Sequence, residues 1–149
     1  MIVVGVDGSE CSRSALKFAL EEARVRQAKL RIVVVWHVPL TAYSAGWAPP
    51  PPNLAEDSEA AANDILEEAL RLVKDDAGSV EVESVVREGQ SAQILIEEAE
   101  KAELLVIGSR GRGGFRDLLL GSVSQQCAHH ARCPVTIVRA GCENVPPAK

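Results

Sequence analysis

Glycine, arginine and serine are concentrated between Leu104 and Ser124, directly behind an aliphatic run. The stretch reads LLVIGSRGRGGFRDLLLGSVS and holds five of the chain's eleven glycines and three of its arginines. Glycine lets the backbone approach a ligand closely, and successive free amides form anion-binding concavities. Gly121 and Ser122 begin a predicted helix, whose N-terminus adds unpaired N–H groups and the positive end of a dipole. The pattern predicts a phosphate site, although a flexible turn before a capped helix explains the glycines alone equally well.

Two common phosphate-binding motifs are not matched by this stretch. It contains no G-x-x-x-x-G-K-[ST] sequence, which a P-loop requires. After Gly111 and Gly113, Arg116 stands where a G-x-G-x-x-G motif has its third glycine. The first predicted strand ends in VDGSE, which is not a dinucleotide fingerprint. A nicotinamide dinucleotide site is therefore not favoured.

Short aliphatic runs alternate along the chain with patterns of helical periodicity. The runs predict buried strands over residues 2–6, 30–38, 79–88, 104–107 and 134–138, the third with one exposed face. The periodic segments predict a helix capped by Ser9 and further helices over residues 56–74, 91–101 and 122–131. Four consecutive prolines make residues 41–53 a loop. Strands separated by helices are parallel with right-handed crossovers, so the pattern predicts a doubly wound α/β sheet.

Composition limits the classes of protein to which this chain can belong. Its 149 residues fit one domain, which we expect to span residues 1–140 before a loose tail at 141–149. A net charge of -5 argues against nucleic-acid binding, because phosphate backbones favour basic surfaces. No apolar stretch is long enough to span a bilayer, and the N-terminus lacks the features of a signal peptide. We therefore predict a cytoplasmic protein that binds neither nucleic acid nor membrane.

The cysteine and histidine residues are better explained by packing than by metal binding. None of the four cysteines forms a C-x-x-C pair, and in a cytoplasmic chain they are expected to be reduced. Cys127 falls on the apolar stripe of its helix, so a zinc site with His129, His130 and Cys133 is disfavoured. His37 lies in an aliphatic run and is expected in the core or at a strand end.

The chain resembles the ATP-binding branch of the universal stress protein family. GSRGRGGFRDLLLGSVS matches the family's G-x2-G-x9-G-[ST] pattern, with glycines at Gly108, Gly111 and Gly121 and the hydroxyl residue at Ser122. VGVDGSECSRSAL, VVVWHV and CPVTIVR are similar to the family's first, second and fifth strands with their surroundings. The resemblance implies a five-stranded parallel sheet in the order 3-2-1-4-5. Asp7 and Gly108 would then form the two lips of one crevice, where the strand order reverses.

The same resemblance implies which residues bind a nucleotide. Asp7 would contact the ribose or support Mg²⁺ near the phosphates, although an Asx-turn in DGS also explains it. Gly5 and Val6 would lie beneath the nucleotide, and the backbone of Val38 would read the adenine edge. The phosphate and ribose contacts would come from Gly108, Gly111, Gly121, Ser122, Val123 and Ser124, with the two serine hydroxyls as additional donors. Arg110 would reach the phosphates, as Arg112 and Arg116 also can, unless these side chains are merely solvated.

Three functions remain open on the sequence. The first is a stress-response regulator that binds ATP, or ADP or AMP, with little or no turnover. The second is a slow ATPase, and the third is a scaffold dimer that binds no nucleotide. The resemblance also implies a homodimer through the last strand, between Pro134 and Arg139, since an exposed sheet edge tends to be covered.

Overall fold

Helices and strands alternate in the computed structural model, which describes residues 1–38, 51–112 and 120–140. The strands are β1 (Ile2–Gly5), β2 (Leu30–Trp36), β3 (Val82–Glu88), β4 (Leu104–Gly108) and β5 (Val135–Val138). The helices are α1 (Glu10–Arg26), α2 (Leu54–Lys74), α3 (Ser91–Glu98) and α4 (Ser122–His130). Most of the predicted loop at 41–53 and the whole predicted tail at 141–149 lie outside the described residues.

The five strands form one parallel sheet in the order β3-β2-β1-β4-β5. The predicted fold class and strand order are therefore confirmed. Ile2 of β1 is in register with Leu30 of β2 on one side and with Leu104 of β4 on the other. The order reverses between β1 and β4, and this pair of neighbours leaves a crevice beyond its carboxyl ends.

Two apolar layers cover the sheet, because successive strand side chains point to opposite faces. Val4 faces the layer formed with α1 and α2, and Val3 faces the layer formed with α3 and α4. Helix α1 buries its predicted stripe of Ala15, Leu16, Ala19, Leu20 and Ala23. Among the described helices, none has the length and apolar composition that crossing a membrane requires.

Helix α1 begins and ends at residues whose hydrogen bonds pair the free backbone groups of its terminal turns. The predicted N-cap, Ser9, is confirmed: its side chain accepts a hydrogen bond from the amide of Ser12. At the other end Gln27 adopts a left-handed conformation with φ of 52°, and its amide donates to the carbonyls of Ala23 and Arg24. The first turn of α1 is thereby fixed close to the end of β1.

Several predicted boundaries differ from the observed ones, and strand pairing gives the reason for β2 and β3. Strand β2 ends at Trp36 rather than at residue 38, because its last partner in β3 is Glu88. His37 is consequently exposed at the strand end. Strand β3 begins at Val82 rather than at residue 79, because Val82 is paired with the first residue of β2. Helix α2 begins two residues earlier than predicted and α3 ends three residues earlier.

Candidate functional site

A cavity of about 380 Å³ opens at the carboxyl ends of β1, β2 and β4. This volume lies within the range of roughly 300–1,000 Å³ that is usual for small-molecule sites. The walls come from these strand ends, from the first turns of α3 and α4, and from the segment that joins β4 to α4. We call that segment the glycine loop; residues 109–112, 120 and 121 of it are described.

Ten of the eleven predicted nucleotide-binding residues line this cavity. They are Gly5, Val6, Asp7, Gly108, Arg110, Gly111, Gly121, Ser122, Val123 and Ser124. Val38 lies two positions beyond the end of β2 and is not among the lining residues. That its backbone reads the adenine edge stays a prediction.

One end of the cavity is apolar. Val33, Leu95 and Ile107 line it, and each is almost fully buried. Gly5 makes this end possible: a Cβ on Gly5 would lie 2.9 Å from both terminal methyl groups of Leu95. Leu95 carries no sequence signal for a site, because an aliphatic residue on the apolar stripe of a helix is expected in the core.

The N-terminus of α4 forms another part of the wall. Gly121 is the N-cap, with φ of -74° and ψ of 162°, and no side chain caps the helix. The first-turn amides of a helix have no partners within it, and they carry the positive end of its dipole. A Cβ on Gly121 would lie 3.6 Å from its nearest neighbours, which is ordinary contact, so packing alone does not exclude a small side chain there. This helix end can bind an anion through backbone N–H groups.

Ser124 has a structural role that differs from the predicted one. Its side chain is buried, and its hydroxyl donates to the carbonyl oxygens of Gly108 at 2.9 Å and Ser109 at 3.1 Å. The single hydroxyl proton is therefore used to tie α4 to the end of β4. A hydrogen bond from this hydroxyl to a phosphate oxygen would have to replace these two bonds, and it stays a prediction. Ser122, by contrast, is exposed at the cavity.

Asp7 joins β1 to the glycine loop. Its Oδ1 accepts hydrogen bonds from the amide of Ser9 at 3.0 Å and from the Ser9 hydroxyl at 2.6 Å. Its Oδ2 accepts from the amide of Arg112 at 3.1 Å. The Asx-turn, which the sequence offers as an alternative explanation of Asp7, is present. The same carboxylate also accepts a hydrogen bond from the glycine loop, 105 residues further along the chain.

Two glycines of the loop are required by close packing. A Cβ on Gly108 would lie 2.9 Å from the carbonyl carbon and Cβ of Cys11, and 3.0 Å from the amide of Ser12. A Cβ on Gly111 would lie 2.6 Å from Oδ2 of Asp7. Both positions therefore exclude side chains for reasons of packing, which the sequence motif does not reveal.

Basic side chains stand at the mouth of the cavity. Arg110 and Arg112 are exposed and line it, together with the exposed His37. Arg116 lies outside the described residues. The two guanidinium groups suit phosphate geometry and can attract an anionic ligand.

Cys127 and Cys133 are not among the residues that line the cavity. Cys127 is fully buried on the inner side of α4, as its place on the apolar stripe predicted. Burial raises the pKa of its thiol to about 11 and raises the pKa of Cys133 as well. Both thiols are therefore protonated and unreactive at neutral pH.

Comparison with known proteins identifies the family. Residues 1–139 match the universal stress protein family. A universal stress protein of Mycolicibacterium smegmatis is 38% identical over 138 residues, which are 93% of this chain and 45% of the relative. Universal stress protein YxiE of Bacillus subtilis is 31% identical over 147 residues, which cover 93% of this chain and 97% of the relative.

A solved structure of a universal stress protein in complex with cAMP has a TM-score of 0.69 and 31% sequence identity. The alignment covers 93% of this chain and 96% of that one. The chain thus belongs to the universal stress protein family. It spans about half the length of the Mycolicibacterium relative and nearly all of the Bacillus relative.

Proposed function

We propose that this member of the universal stress protein family binds an adenine nucleotide in its cavity and acts as a nucleotide-dependent regulator of stress responses. The observation that carries the proposal is the two-part character of the cavity. Val33, Leu95 and Ile107 form an apolar end suited to a purine ring. The uncapped N-terminus of α4, which also lines the cavity, is suited to phosphate. The relative solved with cAMP, at 31% identity, supports an adenine nucleotide as the ligand.

ATP is the nucleotide we propose, with ADP and AMP as weaker ligands. Gly5 and Val6 would lie beneath the base and ribose, and Gly121 and Ser122 would face the first phosphates. Longer phosphate chains would extend towards Arg110 at the exposed mouth, where each added charge gains a cationic neighbour.

Mg²⁺ would accompany ATP chiefly through the phosphate oxygens. Asp7 is the carboxylate at the cavity, and its oxygens already accept three hydrogen bonds. A second-sphere role, in which Oδ2 accepts from a metal-bound water, is the alternative to a role of Asp7 in positioning the glycine loop. The same hydrogen bonds make Asp7 a poor group for activating an attacking water, so we expect little or no turnover. Slow ATP hydrolysis remains the alternative that a turnover assay would detect.

A homodimer through the last strand is part of the proposal. Strand β5 is terminal in the sheet, and β4 is its partner among the described strands. Antiparallel pairing of this edge with a second copy would satisfy its backbone groups and produce a two-fold dimer. The domain limits of residues 1–140 and the cytoplasmic location stay predictions.

The first experiment identifies what the protein carries. The untagged protein is purified without added nucleotide and denatured, and the released small molecules are identified by mass spectrometry. Binding of Mg-ATP is then measured for the wild type, G121D and G78D. Aspartate is a good N-cap, so G121D keeps α4 while setting a negative charge against the phosphates. Gly78 is exposed, has φ of 56° and has open space around it, so G78D adds the same charge far from the cavity.

We expect G121D to weaken binding at least about tenfold, which corresponds to about 1.4 kcal/mol, and G78D to bind as the wild type does. Equal binding by all three proteins would show that the phosphates lie elsewhere. No binding by the wild type, with no adenine nucleotide released, would favour the nucleotide-free scaffold.

A further inference from the structure

The Asp7 carboxylate connects two segments of the cavity wall that are distant in sequence. Oδ1 is held by the amide and hydroxyl of Ser9 at the start of α1. Oδ2 accepts the amide of Arg112 in the glycine loop. The hydroxyl of Ser9 also lies 3.4 Å from the carbonyl oxygen of Arg110. The loop is therefore attached to the segment after β1 through the bond from the Arg112 amide to Asp7, since the one proton of the Ser9 hydroxyl is donated to Oδ1.

We propose that Asp7 is a positioning residue, whose bond to the Arg112 amide holds residues 109–112 of the glycine loop in place at the cavity that receives the phosphates. This inference rests on the proposed function and assigns Asp7 a role through the loop, before any contact with ribose or metal. Ser9 fixes the orientation of the carboxylate, because its two donors saturate Oδ1. Oδ2 then points at the loop.

Gly111 supports this assignment independently of the hydrogen bond. A Cβ at this position would lie 2.6 Å from Oδ2 of Asp7, so the loop backbone is pressed against the carboxylate. Any side chain on Gly111 would separate the two groups. The close approach of the loop backbone to Asp7 therefore depends on the glycine at position 111 as well as on the carboxylate.

The competing role for Asp7 is a direct ligand to Mg²⁺ or to a ribose hydroxyl. Oδ1 already accepts two hydrogen bonds and Oδ2 one, which leaves a single acceptor position on Oδ2. A metal ligand would have to share that oxygen with the Arg112 amide. The two roles predict different dependences on the metal, and this difference is measurable.

The test compares D7N with D64N. An asparagine at position 7 can accept from Ser9 through its oxygen, but its NH₂ group then faces the Arg112 amide, and two donors repel. Asp64 is exposed on α2, so D64N removes the same charge without touching the cavity. Circular dichroism and thermal unfolding verify that both variants fold.

Two measurements distinguish a positioning role of Asp7 from direct contact with the nucleotide or the metal. In the nucleotide-free protein, we expect the Arg112 amide proton to shift upfield in D7N and to exchange at least about tenfold faster, because it loses a charged acceptor. We expect ATP binding by D7N to weaken about tenfold to the same extent in excess Mg²⁺ and in EDTA. D64N is expected to match the wild type in both measurements.

A second variant, G111A, perturbs the contact between Asp7 and the loop by changing the loop residue. In G111A the added Cβ pushes against Oδ2 of Asp7, so the Arg112 signal should change as it does in D7N. The double variant D7N/G111A should lose less affinity than the sum of the two single losses, because both remove one contact.

An unchanged Arg112 signal in D7N would overturn the proposal, whatever happens to binding. A changed signal with unchanged binding would overturn the positioning role. A loss seen with Mg²⁺ and absent in EDTA would assign Asp7 to the metal instead. If the wild type binds no nucleotide, the proposed function and the positioning role both fail, even where the Arg112 signal confirms the hydrogen bond itself.

Discussion

Gly108 marks the position where α1 packs most tightly against the sheet, and its replacement by alanine is a direct test of the fold. The added Cβ would lie 2.9 Å from the carbonyl carbon and Cβ of Cys11, and 3.0 Å from the Ser12 amide. These neighbours are mostly backbone atoms, which cannot turn aside as a side chain can. Gly108 is the last residue of β4 and has no positive φ, so alanine meets no conformational strain there.

The expected cost follows from two opposing terms. Overpacking of a buried contact costs about 1–3 kcal/mol. Replacing glycine by alanine also stabilises a protein by roughly 0.4–1 kcal/mol, because the unfolded chain loses conformational freedom. We therefore expect G108A to lower the free energy of unfolding by about 1–2 kcal/mol. In a protein of this length, that corresponds to a fall in Tm of roughly 3–7 °C.

G121A is the matched control, since it adds the same atom at the other end of the glycine loop. Its Cβ would lie 3.6 Å from the nearest atoms, which is ordinary contact. Alanine is a weaker N-cap than glycine, but it also reduces the conformational entropy of the unfolded chain. These two effects oppose each other, so the free energy of unfolding should change by no more than about 0.5 kcal/mol. Urea unfolding followed by fluorescence and by circular dichroism gives both values and checks two-state behaviour. Equal midpoints for G108A and G121A would refute the argument that α1 packs too closely for a side chain at Gly108.

Two further predictions concern ionisable groups. Because burial raises the pKa of Cys127 to about 11, from an ordinary value of 9.0, the unfolded thiol ionises first as pH rises. The free energy of unfolding should therefore fall from pH 9 to pH 11 by about 2 kcal/mol more in the wild type than in C127A; parallel curves from chemical denaturation would contradict this. Glu98 is 11% exposed and pairs with Arg31 and Arg87, so E98Q should cost about 1 kcal/mol at low salt and less at high salt. Glu100, paired with an exposed arginine, supplies the control, and an equal loss in E100Q would show that burial of Glu98 does not matter.

The fold could be predicted because local patterns and tertiary burial agree along this chain. Each strand is a short run rich in aliphatic residues, and each helix carries one apolar stripe. The type of each element and the order of the elements along the chain therefore follow from hydrophobic periodicity alone. The resemblance to a known family supplied the strand order. Strand ends were less predictable, since β2 ends where its partner β3 ends and not where its own aliphatic run ends. Register between strands decides such limits, and a single sequence does not display it.

Ten of the predicted site residues line the cavity, whereas the sequence indicated less about the contacts that their side chains make there. The glycine motif and its neighbours identified most of the cavity wall. The contacts of Asp7 with Arg112, and of Gly108 with Cys11, join residues about a hundred positions apart, so no local pattern reveals them. Leu95 was missed for a different reason: an apolar residue that lines a cavity has the same periodicity as one that fills the core.

The three glycines of the motif are thus glycines for three different physical reasons. A side chain on the first, Gly108, would collide with the backbone of α1, and a side chain on the second, Gly111, would collide with the carboxylate of Asp7. The third, Gly121, meets nothing within 3.6 Å and begins an uncapped helix. Packing therefore accounts for the first two positions without any ligand, and we propose that phosphate approaching the helix from outside accounts for the third. A chain that kept the first two glycines and lost the third would be expected to build the same start of the loop and to lose its affinity for phosphate.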